Sequence, residues 1–288
     1  MPGRKPTVWI TGTAGLIGNY LVQLAPKFAA GWRLRALARA DFDLLDFAAV
    51  ERAFAKEPPQ LVIHCAAITA VNEAQKNPAL ARRVNVEVTK LLAELASAIP
   101  FVFFSTDLVF DGRKGNYTET DAVNPLHVYG ETKVAAEAII LKNPRHLVVR
   151  TTINGGVSPS GSRAFNEQLR RSLASAAGQG MKLFTDEFRC PIPAMETARA
   201  VWELAQKNCA GIYHVAGAEK LSRMQIAELL VKRWPEVTAK IEPGSARDFP
   251  GPPRPLDASL DISKIQPILS APLPGLTEWL AANPDEYF

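Results

Sequence analysis

Short apolar runs alternate with longer amphipathic stretches through the first half of the chain. Val8-Trp9-Ile10 reads as a strand and Leu16 to Ala30 as a helix, and the pair repeats at Arg33 to Ala38 and Phe47 to Lys56. Leu61-Val62-Ile63 predicts a third strand, followed by a long helical stretch from about Asn77 to Ala98. Phe101 to Phe104, a helix over Val128 to Leu141 and Leu147-Val148-Val149 continue the series. Alternation of this kind builds a parallel, doubly wound α/β sheet.

Beyond Thr151 the rhythm breaks. Asn154 to Ser162 is a Gly/Ser/Pro-rich loop, helices are expected near Ala164 to Ala176, Glu196 to Gln206 and Arg223 to Arg233, and Gly211 to Val215 reads as another strand. Pro250, Pro252, Pro253 and Pro255 prevent the tail from extending a helix or entering a central strand, so it is expected to wrap over the surface. The chain therefore divides into residues 1–152 and a smaller C-terminal α/β lobe, 153–288, with some segments returning to the first domain.

Composition narrows the class. With 47% hydrophobic residues among 288, a sizeable core can be buried. The net charge of +4 comes from 33 basic and 29 acidic residues that are scattered, which disfavours nucleic acid and suits a small anion. Cys65, Cys190 and Cys209 have no paired spacing, as expected in a reducing compartment. The basic stretch Met1 to Thr7 is not a secretory signal and no run could span a membrane, so a soluble cytoplasmic protein is expected.

Chemistry begins at Thr11-Gly12-Thr13-Ala14-Gly15-Leu16-Ile17-Gly18, between the first strand and the first helix. Gly12 permits a tight turn, Gly15 lets backbone approach a pyrophosphate, and Gly18 allows close helix–strand packing. The helix start then offers N–H groups and partial positive charge, the Rossmann-type device for a dinucleotide. At the end of the second strand an acidic residue would hold the ribose of NAD; Arg39 instead suits a 2′-phosphate, favouring NADP(H) over NAD(H).

Tyr129 and Lys133, four residues apart, share one face of a helix. A nearby ammonium stabilises the phenolate and makes tyrosine a usable acid/base. Thr106 ends the fourth strand, at the sheet edge where ligands bind, and can hydrogen-bond a carbonyl beside Tyr129. His127 could line the same cleft, while the other three histidines read as core or surface residues and no metal is expected. Trp202 and Trp234 read as helix-packing residues.

Read together, these residues resemble the dTDP-4-dehydrorhamnose reductase group of extended short-chain dehydrogenases/reductases. Asp43-Leu44-Leu45-Asp46 is similar to its D-x-x-D, Pro59 to Val71 to its P-D-x-V-I-N-x-A-A-x-T-x-V, and Val84-Asn85 to its V-N pair. Ser105-Thr106-Asp107-Leu108-Val109-Phe110-Asp111-Gly112 is similar to S-T-D-Y-V-F-D-G, and Pro125 to Lys133 to P-x-x-V-Y-G-x-T-K. Further on, Asp186 to Ile192 resembles D-Q-x-x-x-P-T, Gly211 to His214 resembles G-x-Y-H, and Arg254 to Asp261 resembles R-P-x-x-S-x-L-D. The resemblance implies reduction of a nucleotide-linked 4-keto-6-deoxy sugar, with Tyr129 protonating the oxygen, Lys133 at the nicotinamide ribose and Thr106 orienting the ketone. It implies that Asp43, Leu44, Ala66, Ala67 and Thr69 join the glycine loop around the cofactor, and that Asp107, Thr152, Asn154 and Arg254 meet the substrate.

Leu108 follows Asp107 where sugar dehydratases carry a carboxylate, which disfavours dehydration. Thr152-Ile153 replaces the group's Ser-Trp, and Arg189 and Ile192 replace a small residue and threonine, all where the sugar and diphosphate would sit. Two alternatives stay open: a non-catalytic NADP-binding regulatory subunit and a nucleotide-sugar epimerase. A homodimer is one assembly open to the chain.

Overall fold

The structure, a computed structural model, describes residues 5–40, 42–176 and 180–288. The first residues of the basic N-terminal stretch, and Asp41 beside Arg39, lie outside the described residues. Six strands form one parallel sheet: β1 (Thr7–Thr11), β2 (Arg33–Leu37), β3 (Leu61–His64), β4 (Phe101–Thr106), β5 (His146–Thr151) and β10 (Gly211–Val215). Their spatial order is β2-β1-β3-β4-β5-β10, so the order reverses at β1 and opens a crevice there. The strand expected at Gly211 to Val215 thus leaves the C-terminal half and closes the sheet beside β5.

Both faces of β1, β3, β4 and β5 are covered, which is why their centres read as apolar runs, whereas β2 at the edge keeps exposed positions. Val8, Ile10, Val102, Phe104, Leu147 and Val149 pack on one face against α1 (Leu16–Phe28) and α8 (Ala194–Gln206). Trp9, Val62, Phe101, Phe103 and Val148 pack on the other against α2 (Phe47–Lys56), α5 (Val88–Leu95) and α6 (Val128–Ile140). Asp46 accepts the Ala49 N–H at 2.9 Å and thereby starts α2.

Two expectations change. The single helix expected over Asn77 to Ala98 is broken: α3 (Val71–Lys76) ends at Asn77, whose side chain accepts the Leu80 N–H and starts α4 (Pro78–Arg82). A π-helical turn over Arg83–Glu87 then leads into α5, putting Asn85 against the Ile68 backbone. The Pro-rich tail wraps over the surface only in part: Pro250 and Pro253 are exposed, but the chain then turns inward. Pro255 and Ala258 are buried, Leu260 bridges Tyr117, and Ile265 and Leu273 enter the main core. Proline lacks a donor but keeps its carbonyl, and Pro255 O accepts a hydrogen bond from Arg189.

The remaining segments are α7 (Phe165–Ser175), α9 (Arg223–Val231), α10 (Leu276–Ala282) and short strand pairs. These pairs are β6 (Asn154–Gly155) with β9 (Ile192–Pro193), β7 (Gly180–Phe184) with β12 (Lys240–Gly244), and β8 (Phe188–Arg189) with β11 (Leu221–Ser222). Leu169, Leu173, Ile226, Leu230, Trp234, Trp279 and Phe288 form their shared core. Among the described residues no helix is long and apolar enough to cross a membrane.

Candidate active site

Because all six strands run the same way, the residues that follow them arrive at one edge of the sheet. Gly12 leaves β1 with φ +71°, where an added Cβ would meet Ala66 N at 2.7 Å. At Gly18 a Cβ would run into the Gly12 carbonyl, so the first turn of α1 lies tight on the loop. Gly15 caps α1 without a side-chain bond, leaving the N–H groups around Leu16 and Ile17 for an anion. Leu16 turns its side chain towards Ala164 and Ala194, so its backbone is what remains for a ligand. Glycine cradle and uncapped helix fit a dinucleotide pyrophosphate.

Ala14 is exposed beside the cradle, and Arg39 is exposed just beyond β2. Asp43 accepts the Leu45 N–H at 3.0 Å and shapes its own turn, while Leu44 packs against the α2 side of the core. Ala66 and Ala67 lie half-buried after β3, with Thr69 exposed further along. Thr11 Oγ1 donates to His64 Nδ1 at 2.7 Å, and His64 Nε2 donates to Thr89 Oγ1 at 3.1 Å, since that hydroxyl already gives its proton to Asn85 O. Burial, aided by the Lys133 charge, lowers His64 to about 3, so it stays neutral. Asn85 Nδ2 then reaches Thr132 Oγ1 at 3.0 Å, and Thr132 donates to Tyr129 O at 2.7 Å. One polar network thus ties the β1 and β3 loops to the helix carrying Tyr129 and Lys133.

His127 starts α6 by accepting the Gly130 N–H on Nδ1 at 3.1 Å, and its ring stacks on Tyr129 at 6.2 Å. Glycine is required at 130, because a Cβ there would lie 2.5 Å from Leu108 O. That close approach holds Tyr129 against the turn after Thr106. Burial pushes the Tyr129 phenol up, with the nearby Thr106 side chain opposing the shift. Lys133 is 3% exposed and lies 4.1 Å over the Phe103 ring. Burial lowers its ammonium to about 7, with the Glu137 carboxylate opposing the shift.

Asp107, also buried, accepts the Thr106 hydroxyl at 3.0 Å and the Thr152 hydroxyl at 2.6 Å. Asn154 spends both amide protons on Thr151 Oγ1 and Thr152 O and accepts from Thr197, so its amide shapes the loop. Arg254 forks onto Glu187 at 2.5 and 3.0 Å between the rings of Phe184 and Phe249. Sequence reasoning passed over Glu187 and Arg223 in this cluster and noted Arg189 only as a departure from the family pattern. Glu187 is fully buried and also receives Arg223 at 2.8 Å and Arg189 at 3.2 Å, and Arg189 continues to Asp107 at 3.3 Å. Burial would raise the Glu187 carboxyl, but the arginines hold it at about 2. Only the odd arginine at 189 signalled this.

The sheet, the cradle and the Thr106/Tyr129/Lys133 group define the extended short-chain dehydrogenase/reductase class. Within it, the chain belongs to the RmlD substrate binding domain family, whose model matches residues 6–287. It is 30% identical over 92% of its length to the dTDP-4-dehydrorhamnose reductase of Sinorhizobium fredii, covering 93% of that protein. It is 28% identical over 92% of its length to the methionine adenosyltransferase 2 subunit beta of Rattus norvegicus, covering 83% of it. A crystal structure of a dTDP-4-dehydrorhamnose reductase from Clostridium acetobutylicum superposes with a TM-score of 0.84 at 25% identity, covering 97% of this chain and 98% of that one.

Proposed function

We propose that the protein is an NAD(P)H-dependent oxidoreductase that reduces the 4-ketone of a nucleotide-linked 6-deoxy sugar. One observation carries the reading: Thr106, Tyr129 and Lys133 converge at the carboxyl edge of the sheet beside a glycine cradle that fits a dinucleotide. The residues placed around the cofactor are Gly12, Ala14, Gly15, Leu16, Ile17, Gly18, Asp43, Leu44, Ala66, Ala67 and Thr69, with Arg39 meeting a 2′-phosphate. The reduced nicotinamide, when bound, supplies hydride to the carbonyl carbon.

Thr106 orients the ketone, and Tyr129 gives its proton to the oxygen as the alcohol forms. Lys133 contributes the positive charge that lets the phenol part with that proton. Asp107 and Thr152 shape the sugar side, and Arg254 stands towards the diphosphate. Residues 1–152 form the dinucleotide-binding unit and 153–288 mainly the substrate lobe. A cytoplasmic location fits the unpaired Cys65, Cys190 and Cys209, and a homodimer is the assembly to test by light scattering.

The test is a screen of NADPH and NADH oxidation against nucleotide-linked 4-keto sugars, with Tyr129→Phe as the control. Tyr129→Phe is expected to bind cofactor normally and to turn over at least about a hundredfold more slowly, the low end for a lost general acid. Equal turnover of a confirmed substrate by the variant would defeat the mechanism. The likeness to the methionine adenosyltransferase subunit supports a second reading, a regulatory subunit; cofactor binding without turnover across the whole panel would favour it.

A further inference from the structure

We propose that Arg189 is a positioning residue that couples the C-terminal half of the molecule to the catalytic Thr106, a proposal that rests on the reductase reading above. Its side chain is 2% exposed, yet it belongs to a two-residue strand rather than to the main core. Burying a guanidinium is costly unless its donors are matched, so its partners explain why it is there. Nε faces Asp107 at 3.3 Å, Nη2 faces Glu187 at 3.2 Å, and Nη1 donates to the carbonyls of Phe188 at 2.7 Å and Pro255 at 3.0 Å.

Those partners come from three separate parts of the chain. Asp107 follows β4 and accepts the hydroxyls of Thr106 and Thr152. Glu187 holds Arg223 and Arg254, and Pro255 lies in the tail. A continuous path therefore runs from Arg254 through Glu187, Arg189 and Asp107 to Thr106. The planar fork is what spans two carboxylates and two carbonyls at once; a lysine ammonium of similar reach has no such geometry. Without Arg189, Asp107 keeps a buried charge with no cation beside it. That uncompensated charge is costly where it lies, so the carboxylate no longer stays fixed on the Thr106 hydroxyl.

The test compares the parent protein with Arg189→Met, Arg189→Lys, Asp107→Asn and the Arg189→Met/Asp107→Asn double variant. For each, NADPH affinity is read by fluorescence, melting temperature by calorimetry, and kcat and KM on a sugar the parent reduces. Arg189→Met is expected to lower kcat by about 10- to 100-fold, the scale of a misplaced reacting group. NADPH affinity should be unchanged and KM for the sugar should move less than kcat, since the change misplaces Thr106 and removes no ligand contact. Arg189→Lys should recover part of kcat, and the double variant should be no slower than the worse single, the mark of coupled residues.

A folded Arg189→Met protein with parental kcat overturns the proposal. So does a kcat loss in the double variant equal to the two single losses combined. If Arg189→Met fails to fold, the same judgement falls on Arg189→Lys: parental kcat overturns it, and a partial loss of kcat with unchanged NADPH affinity supports it. Failure of the parent to reduce any ketone in the panel defeats the reductase reading instead, and is told apart by that control.

Discussion

Lys133 carries the sharpest pH signature in the molecule, because a buried ammonium lowered to about 7 changes charge near neutrality. Below that value it is protonated and supports Tyr129; as pH rises through it, the free protein loses the supporting charge. Since kcat/KM reports groups of the free enzyme, it should fall with rising pH around 7 in the parent. Lys133→Arg, which stays charged, should lack that limb even if slower overall. A parental profile flat well above this range would count against the role given to Lys133. Arg39 offers a second measurement of the same kind. A charge-assisted bond to a 2′-phosphate contributes about 1.5–3 kcal/mol, so Arg39→Ser should weaken NADPH binding by roughly 10- to 100-fold. NADH binding should barely move in the same fluorescence titration. Equal effects on both cofactors would show that Arg39 does not read the phosphate.

At the scale of elements, α6 has to hold buried charge while presenting Tyr129 and Lys133. Glu137, one turn beyond Lys133, receives Arg150 of β5 through two bonds of 3.0 and 2.7 Å, and both side chains are buried. Breaking such a pair strands a charge, so Glu137→Gln should lose about 3–5 kcal/mol of stability in denaturant unfolding. Replacing both partners by methionine should recover most of that loss; a double variant as unstable as the single would show that the pair itself stabilises the helix–strand contact. The helix over Phe47–Lys56 and the strand over Gly211–Val215 have the bounds their sequence patterns predict, because each repeats its packing face cleanly and ends at clear signals. The stretch after Asn77 did not read correctly. Its breaks come from a side-chain cap at Leu80 and from Asn85 reaching Ile68, bonds that hydrophobic periodicity does not register. The site divides in the same way. Motif residues on strand ends and on α6 could be read directly, whereas Glu187, Arg189 and Arg223 meet Asp107 and Arg254 only through the fold.

At the scale of the molecule, the boundary expected at 152 does not separate two packed cores. The sheet that carries the glycine loop is completed by β10, and α8 covers α1, with Trp202 Nε1 donating to Leu21 O at 3.0 Å. Ile265 and Leu273 of the tail enter the same core. Val201, Trp202 and Leu204 are at most 2% exposed, and burying side chains of this size stabilises by about 1.5–3 kcal/mol each. Together that is about 5–9 kcal/mol, comparable to the whole net stability of an ordinary domain, about 5–15 kcal/mol. A fragment ending at Thr152 should therefore fail to fold cooperatively and fail to bind NADPH, although it contains the glycine loop, Tyr129 and Lys133. Circular dichroism melting and cofactor fluorescence on the fragment decide the point. A sharp melt with parental NADPH affinity would mean that the contacts of α8, β10 and the tail are dispensable. The expected failure would instead tie cofactor binding to the C-terminal half, the half that also supplies the buried Glu187–Arg189 pair beside Asp107. Cofactor and substrate binding would then depend on one continuous core.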